Sequence, residues 1–105
     1  RQLYVADIGD GKTYRYQIDA SGQLTNRILF CSRGSDGMTI DEQRNVYLTG
    51  RGVTIFNRNG KKLSNIAVPK GWTANVTFAG PKRKHLFVTA KDSVFVLEMN
   101  VAGLK

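Results

Sequence analysis

An all-β fold follows from three features of this 105-residue sequence. Its apolar runs are four to seven residues long and rich in Val, Ile, Thr, Tyr and Phe, and clusters of Gly, Asn, Asp and Lys separate them. That is strand-and-turn chemistry. No window carries a helical apolar stripe with caps. The runs also repeat: Gly22 to Gly60 is 38 residues, Leu24 to Leu63 is 39, Tyr47 to Phe87 is 40 and Val53 to Val94 is 41. A period of about 40 residues with four short strands per unit is the arithmetic of a β-propeller blade. The chain is expected to hold about two and a half four-stranded blades of a six-bladed ring.

The strands of a blade are named A to D from the central channel outward. Residues 1–30 then form a partial blade with strands B, C and D at 2–7, 12–18 and 24–30. Residues 36–68 form a full blade, with A to D at 36–41, 45–50, 52–57 and 62–68. Residues 73–99 form a second partial blade, with A, B and C at 73–79, 85–90 and 93–99. LYVAD (3–7), VYLTG (46–50) and LFVTA (86–90) are the matching B strands. TYRYQI (13–18), VTIFN (53–57) and VFVLEM (94–99) follow as C strands, on which Tyr14, Tyr16, Phe56 and Phe95 are expected to pack between blades. The first blade lacks its inner strand and the last its outer one. Raw sheet edges and blade faces are removed by closing the ring. Residues 1–105 are therefore expected to be the C-terminal part of one propeller domain. An N-terminal remainder, in the same or a separate chain, would supply the missing outer strand.

The charge is strongly basic: 16 Lys+Arg against 8 Asp+Glu, net +8, with a pI near 10.0. That balance raises nucleic acid or an anionic surface as partners. Residues 1–50 carry six basic and six acidic side chains, whereas residues 51–105 carry ten and two. The excess sits on hairpin tips: RNGKK (58–62) is a C–D turn and PKRKH (81–85) an A–B turn. These two turn types share one face of a propeller. Arg58, Lys61, Lys62, Lys82, Arg83 and Lys84 therefore gather there, where such charges solubilise tips and blunt edges. No aromatics interleave with them, which speaks against single-stranded nucleic acid. No apolar run reaches bilayer length. Neither nucleic acid nor a membrane is expected as a partner, and a soluble cytoplasmic or periplasmic protein is expected. One cysteine, Cys31, excludes an internal disulfide and a multi-cysteine metal site.

Inner strands begin at the face where the channel opens, so Asp36 lies at that mouth. A carboxylate there can bind a hard cation and take a proton from water; otherwise it is an Asp-Gly turn residue shaping the strand entry. Asn75 begins the next inner strand at the same mouth, where it either lines a substrate pocket or satisfies a backbone group. Trp72 either walls the pocket or packs under its loop. Asp7 and Asp10 in DIGDG lack calcium-loop spacing and read as an ordinary turn. Cys31 and Ser32 have no histidine to activate them, since the only one, His85, opens a B strand at the far end of its blade.

SDGMTIDEQRNVYLT (35–49), GVTIFNRNGKKLSNIAVP (52–69) and TANVTFAG (73–80) together resemble the C-terminal third of the SMP-30/gluconolactonase family of six-bladed propeller lactonases. The terminal VFVLEMNVAG resembles the final strand of such proteins, so the resemblance runs through nearly the whole chain in order. It implies metal-dependent hydrolysis of a small-molecule sugar lactone. Asp36 would be both metal ligand and general base, and Asn75 would line the substrate pocket. The cation would be divalent, calcium first and zinc as the alternative. The family's other ligands, a Glu and an Asn, come from earlier blades, so this chain alone is expected to be inactive. Ser35 stands where the family usually has Pro, Arg44 where it has Gly, and Ala79-Gly80 where it has Gly-Gly. If the Arg44 position needs φ > 0, either Arg44 bears strain or Asn45 shifts to absorb it. The reading from another class is a non-catalytic propeller that docks an acidic partner on its basic face, with Asp36 structural.

Overall fold

A computed structural model describes all 105 residues and contains ten strands and no helix. No helix is therefore long and apolar enough to cross a membrane. The strands form three antiparallel sheets in two compact units, Arg1–Ser35 and Asp36–Lys105.

In the first unit β1 (Gln2–Asp7), β2 (Lys12–Ile18) and β3 (Leu24–Cys31) lie in the order β1-β2-β3. The β1–β2 hairpin closes at the Asp7–Lys12 pair. Its loop consumes both acidic side chains: the Asp10 N–H donates to Asp7 Oδ1 at 3.0 Å, the Tyr14 hydroxyl donates to Asp10 Oδ2 at 3.2 Å, and Lys12 pairs with Asp10 at 3.5 Å. DIGDG is thus a turn with its carboxylates engaged locally. Tyr14 also lies under the Arg27 guanidinium, 4.6 Å from its ring centre.

The second unit packs two sheets face to face. One holds β4 (Met38–Ile40), β5 (Val46–Gly50), β6 (Gly52–Phe56) and β7 (Lys62–Ile66) in sequence order. The other runs β10-β9-β8, from β8 (Asn75–Ala79), β9 (His85–Ala90) and β10 (Ser93–Glu98). Tyr47, Val53, Val68, Val76, Leu86, Val88 and Ala90 form the core between them, with Phe78, Phe95 and Leu97 packed against it. Full burial of each large apolar side chain contributes about 1.5–3 kcal/mol. Tyr47 meets Phe78 edge to face at 5.2 Å, which ties β5 to β8. Phe95 thus packs between sheets as expected, while Phe56 is buried on the opposite face of its own sheet, with Val46 and Leu48. On β10 the residues that alternate away from the core, Val94 and Val96, are 63% and 52% exposed.

The inner strands are shorter than their apolar runs suggest. β4 begins at Met38 and not at residue 36, and β8 at Asn75 and not at 73. The preceding residues bond to threonine hydroxyls in place of a strand partner, as described below.

Three hairpins share one turn. Asp19, Asp41 and Asn57 each accept, through Oδ1, the N–H groups two and four residues on, all within 2.9–3.0 Å. This is the Asx-turn chemistry that short polar side chains favour. The fourth turn residue is left-handed in each: Gly22 (φ 87°), Arg44 (φ 71°) and Gly60 (φ 83°). Arg44 therefore bears the strain itself. Asn45 does not shift, because its N–H, carbonyl and side-chain amide are all bonded to Asp41. The Ser21 hydroxyl, and then the Gln23 N–H, hold the exposed Asp19 carboxyl below the usual carboxylate range.

Asp41 differs from its two counterparts in being completely buried. Its Oδ2 accepts both Asn45 Nδ2 and the Tyr47 hydroxyl at 2.9 Å. Burial, then the hydrogen bond to the Asp41 carboxylate, push the Tyr47 phenol far above its ordinary range. The C-terminal segment closes over this turn. Gly103 bridges Asp41, the Leu104 N–H donates to Ile40 O at 2.9 Å, the Glu42 N–H to Ala102 O at 2.9 Å and the Gly103 N–H to Arg83 O at 2.8 Å. A Cβ on Gly103 would collide with the Phe78 side chain, so only glycine fits there.

Asp41→Ala removes the acceptor for a buried hydroxyl and two turn N–H groups and is expected to cost about 3 kcal/mol. Arg44→Gly relieves a left-handed side chain against the extra entropy of an unfolded glycine, for an expected gain of about 0.5–1 kcal/mol. Urea unfolding of each variant beside the parent checks both signs.

Candidate functional site

The entries to β4 and β8 are held side by side by threonine hydroxyls. Gly37 and Asn75 occupy matching positions: the Thr49 N–H donates to Gly37 O, and Asn75 pairs with Thr89. The Gly37 N–H in turn donates to Thr49 Oγ1 at 3.0 Å. The Thr49 hydroxyl lies 3.1 Å from Gly37 O and 3.5 Å from Ala74 O, reaching both strand entries. On the second sheet the Ala74 N–H donates to Thr89 O at 2.8 Å, and the Thr89 hydroxyl lies 3.5 Å from Asn75 O. Thr73, fully buried, accepts the Gly50 N–H at 2.9 Å and donates to Gly52 O at 2.6 Å, which clamps the β5–β6 turn to the loop before β8. Buried hydroxyls that meet their partners this way hold backbone where no ladder exists.

The result is contact between Gly37 and Asn75. A Cβ at Gly37 would lie 2.9 Å from Asn75 Cα and collide with its side-chain oxygen. Glycine at this position lets the two strand entries touch, and so sets Asp36 beside Asn75.

Asp36 is exposed, and Trp72 Nε1 donates to its Oδ2 at 3.4 Å. Trp72 is 53% exposed, bridges Arg51, and has its ring edge 3.8 Å from where a Gly50 Cβ would stand. Asn75 Oδ1 accepts the Val76 N–H at 2.9 Å. This fixes the amide orientation and leaves Nδ2 as the outward-facing donor. Asp36, Asn75 and Trp72 therefore meet at one end of the second unit.

The donor chemistry suits a hard cation, but only in part. Asp36 offers carboxylate oxygen, the ligand type calcium selects, yet calcium takes about six to eight oxygens. No group of three or more His, Cys, Asp or Glu side chains in this chain could hold a metal ion. The chain brings one carboxylate to a site that needs several.

The other candidates do not join this cluster. Burial pushes the Cys31 thiol up, and it points at Arg33 O, 3.8 Å away. The first unit contains no histidine to activate Cys31 or Ser32. His85 lies at the end of the second unit away from Asp36, 3.9 Å from Glu98. It shares a shallow hollow there with Lys82, Lys84 and Met99. Thr49 and Thr73 were not among the sequence candidates. Their signal was present for one of them: Thr49 and Thr89 stand at the same place in VYLTG and LFVTA, 40 residues apart.

A propeller-blade fold whose inner-strand entry presents an exposed Asp-Gly pair defines the class of protein. The family model described as the SMP-30/Gluconolactonase/LRE-like region matches residues 1–92, and the chain belongs to that family. A solved structure described as a candidate gluconolactonase matches with a TM-score of 0.91 and 29% identity, over 99% of this chain and 37% of that one. A gluconolactonase from Xanthomonas campestris matches with a TM-score of 0.83 and 27% identity, over 92% and 33%. A calcium-binding regucalcin from Agrobacterium tumefaciens matches in fold, with a TM-score of 0.84 at 23% identity, over 98% and 43%. The chain thus spans well under half the length of these proteins. No match was found among curated proteins.

Gly37→Ala is expected to lower stability by about 1–3 kcal/mol, since Asn75 must move to admit the methyl group. Gly9→Ala is the control, because its Cβ would meet only Asp7 Oδ1 at an ordinary 3.6 Å. Thermal unfolding midpoints of the two variants should separate clearly.

Proposed function

We propose that this chain is the C-terminal part of a metal-dependent sugar lactonase and contributes Asp36 to a site that earlier blades complete. One observation carries the reading: an exposed carboxylate and an outward-facing amide donor are locked side by side at the inner-strand entries. Membership of the gluconolactonase family and similarity to gluconolactonases at 27–29% identity support it.

Asp36 would act as a metal ligand and as the base that orients and deprotonates the attacking water. Its exposed carboxylate has room for both. Asn75 Nδ2 would donate to an oxygen of the bound lactone, a role its orientation permits, because Oδ1 is occupied by the Val76 N–H. The cation, with calcium preferred by the oxygen donors and zinc the alternative, would supply Lewis-acid polarisation of the lactone carbonyl when bound. The remaining ligands would come from the N-terminal part of the propeller, in the same or a second chain. That part would also cover the exposed face of β10 and pair with its free edge. Alone, these 105 residues would bind the cation poorly and turn over no lactone.

The basic turns lie at the other end of the second unit from Asp36. A binding module for an acidic partner would use them, and the same experiment separates the two readings. In the complete protein, chelation should abolish hydrolysis of δ-gluconolactone and added calcium or zinc should restore it. Asp36→Asn should lower kcat on the order of 10²–10³-fold. Asn75→Ala should act mainly on KM, raising it about tenfold through loss of one hydrogen bond. Full activity of Asp36→Asn would overturn the role given to this carboxylate.

A further inference from the structure

We infer that Trp72 is the positioning and specificity residue of this site: its N–H orients Asp36, and its exposed ring is a platform for the C–H face of a sugar lactone. The inference rests on the reading of Asp36 as the base and adds two things to it, a fixed orientation and a substrate class.

The orientation comes from the hydrogen bond. A carboxylate with free rotation about χ2 presents either oxygen to water or a cation. Trp72 Nε1 donates to Oδ2 at 3.4 Å and so distinguishes the two oxygens, leaving Oδ1 as the free acceptor. The bond is long, but its acceptor is ionised, which strengthens it relative to a neutral pair. Trp72 is in turn held by the backbone. It forms a bridge with Arg51, and the next residue, Thr73, is clamped to Gly50 and Gly52. Gly50 leaves the ring room against the β5–β6 turn, 3.8 Å from where its Cβ would stand. A flexible loop could not orient a carboxylate; this one is tied at both ends.

The substrate class comes from the ring. An indole that served only to cap a turn would be covered, yet Trp72 remains 53% exposed beside the carboxylate. Sugar rings present apolar C–H faces edged by hydroxyls. An exposed indole stacks on such a face while the polar groups around it take the hydroxyls. Asn75 Nδ2 is the polar donor nearest to hand. A small unsubstituted lactone offers far less area to cover and gains little from the ring.

Two variants separate the functions in the complete protein. Trp72→Phe keeps a ring and removes the N–H: kcat for δ-gluconolactone should fall about tenfold with KM within about twofold. Trp72→Ala removes both. Its kcat/KM for δ-gluconolactone should fall about tenfold further than for γ-butyrolactone. A readout independent of activity is the indole Nε1–H resonance, assigned by its loss in Trp72→Phe, which should move upfield in Asp36→Asn as the acceptor loses its charge. An unmoved resonance, or equal losses for the two lactones in Trp72→Ala, would overturn the inference. If the wild type hydrolyses no lactone while the resonance still responds to Asp36→Asn, the proposed activity fails and the orientation of Asp36 by Trp72 stands.

Discussion

The hydroxyl of Thr49 is the contact on which the candidate site depends. It accepts the Gly37 N–H and lies within donating distance of the carbonyls of Gly37 and Ala74. Those two residues belong to the entries of neighbouring inner strands, so one buried side chain sets the spacing between two sheets where the ladders have not yet begun. A backbone carbonyl or N–H left unpaired at that depth would cost about 1–3 kcal/mol. The threonine removes that cost and fixes the geometry together. Gly37 then touches Asn75, and Asp36 stands immediately beside the contact.

The two ends of the second unit are built on opposite terms. At the Asp36 end, loops are tied by hydroxyls and the functional side chains are left exposed. At the other end a buried carboxylate, Asp41, accepts from its own turn and from Tyr47, and residues 102–104 close over it. Here side chains are used up in structure, and the charges that remain, such as Arg44, Lys82 and Lys84, project outward. This arrangement stabilises one end heavily, and the other can carry strained or exposed groups without loss of the fold. Trp72 belongs to the second kind.

Much of this was legible before any coordinates. The 40-residue period of VYLTG and LFVTA gives the strand order, and Asp36 and Asn75 follow from it as residues at the start of inner strands. The turn at 57–61 is readable as Asn-x-x-Gly. The turn at 41–45 is not, because Arg44 stands where glycine is expected; only the geometry shows that Asn45 is pinned and Arg44 takes the left-handed conformation. The length of β4 is likewise not in the pattern, since residues 36–41 read as one run although their first two bond to a threonine side chain or to none of the ladder.

By itself the sequence determined the sheets, their order, the end at which Asp36 falls and the end at which the basic turns fall. Those depend on period and alternation, which are local properties of a strand. What only the tertiary structure decided is which side chains meet across the strand entries. Asp36 and Trp72 are 36 residues apart. Gly37 and Asn75 are 38 apart. Nothing in the spacing of either pair states that an indole N–H reaches a carboxylate or that a missing Cβ admits an asparagine. Such contacts arise when two sheets pack at a fixed distance, and that distance is set by buried side chains drawn from four separate strands: Tyr47, Val53, Val76 and Leu86.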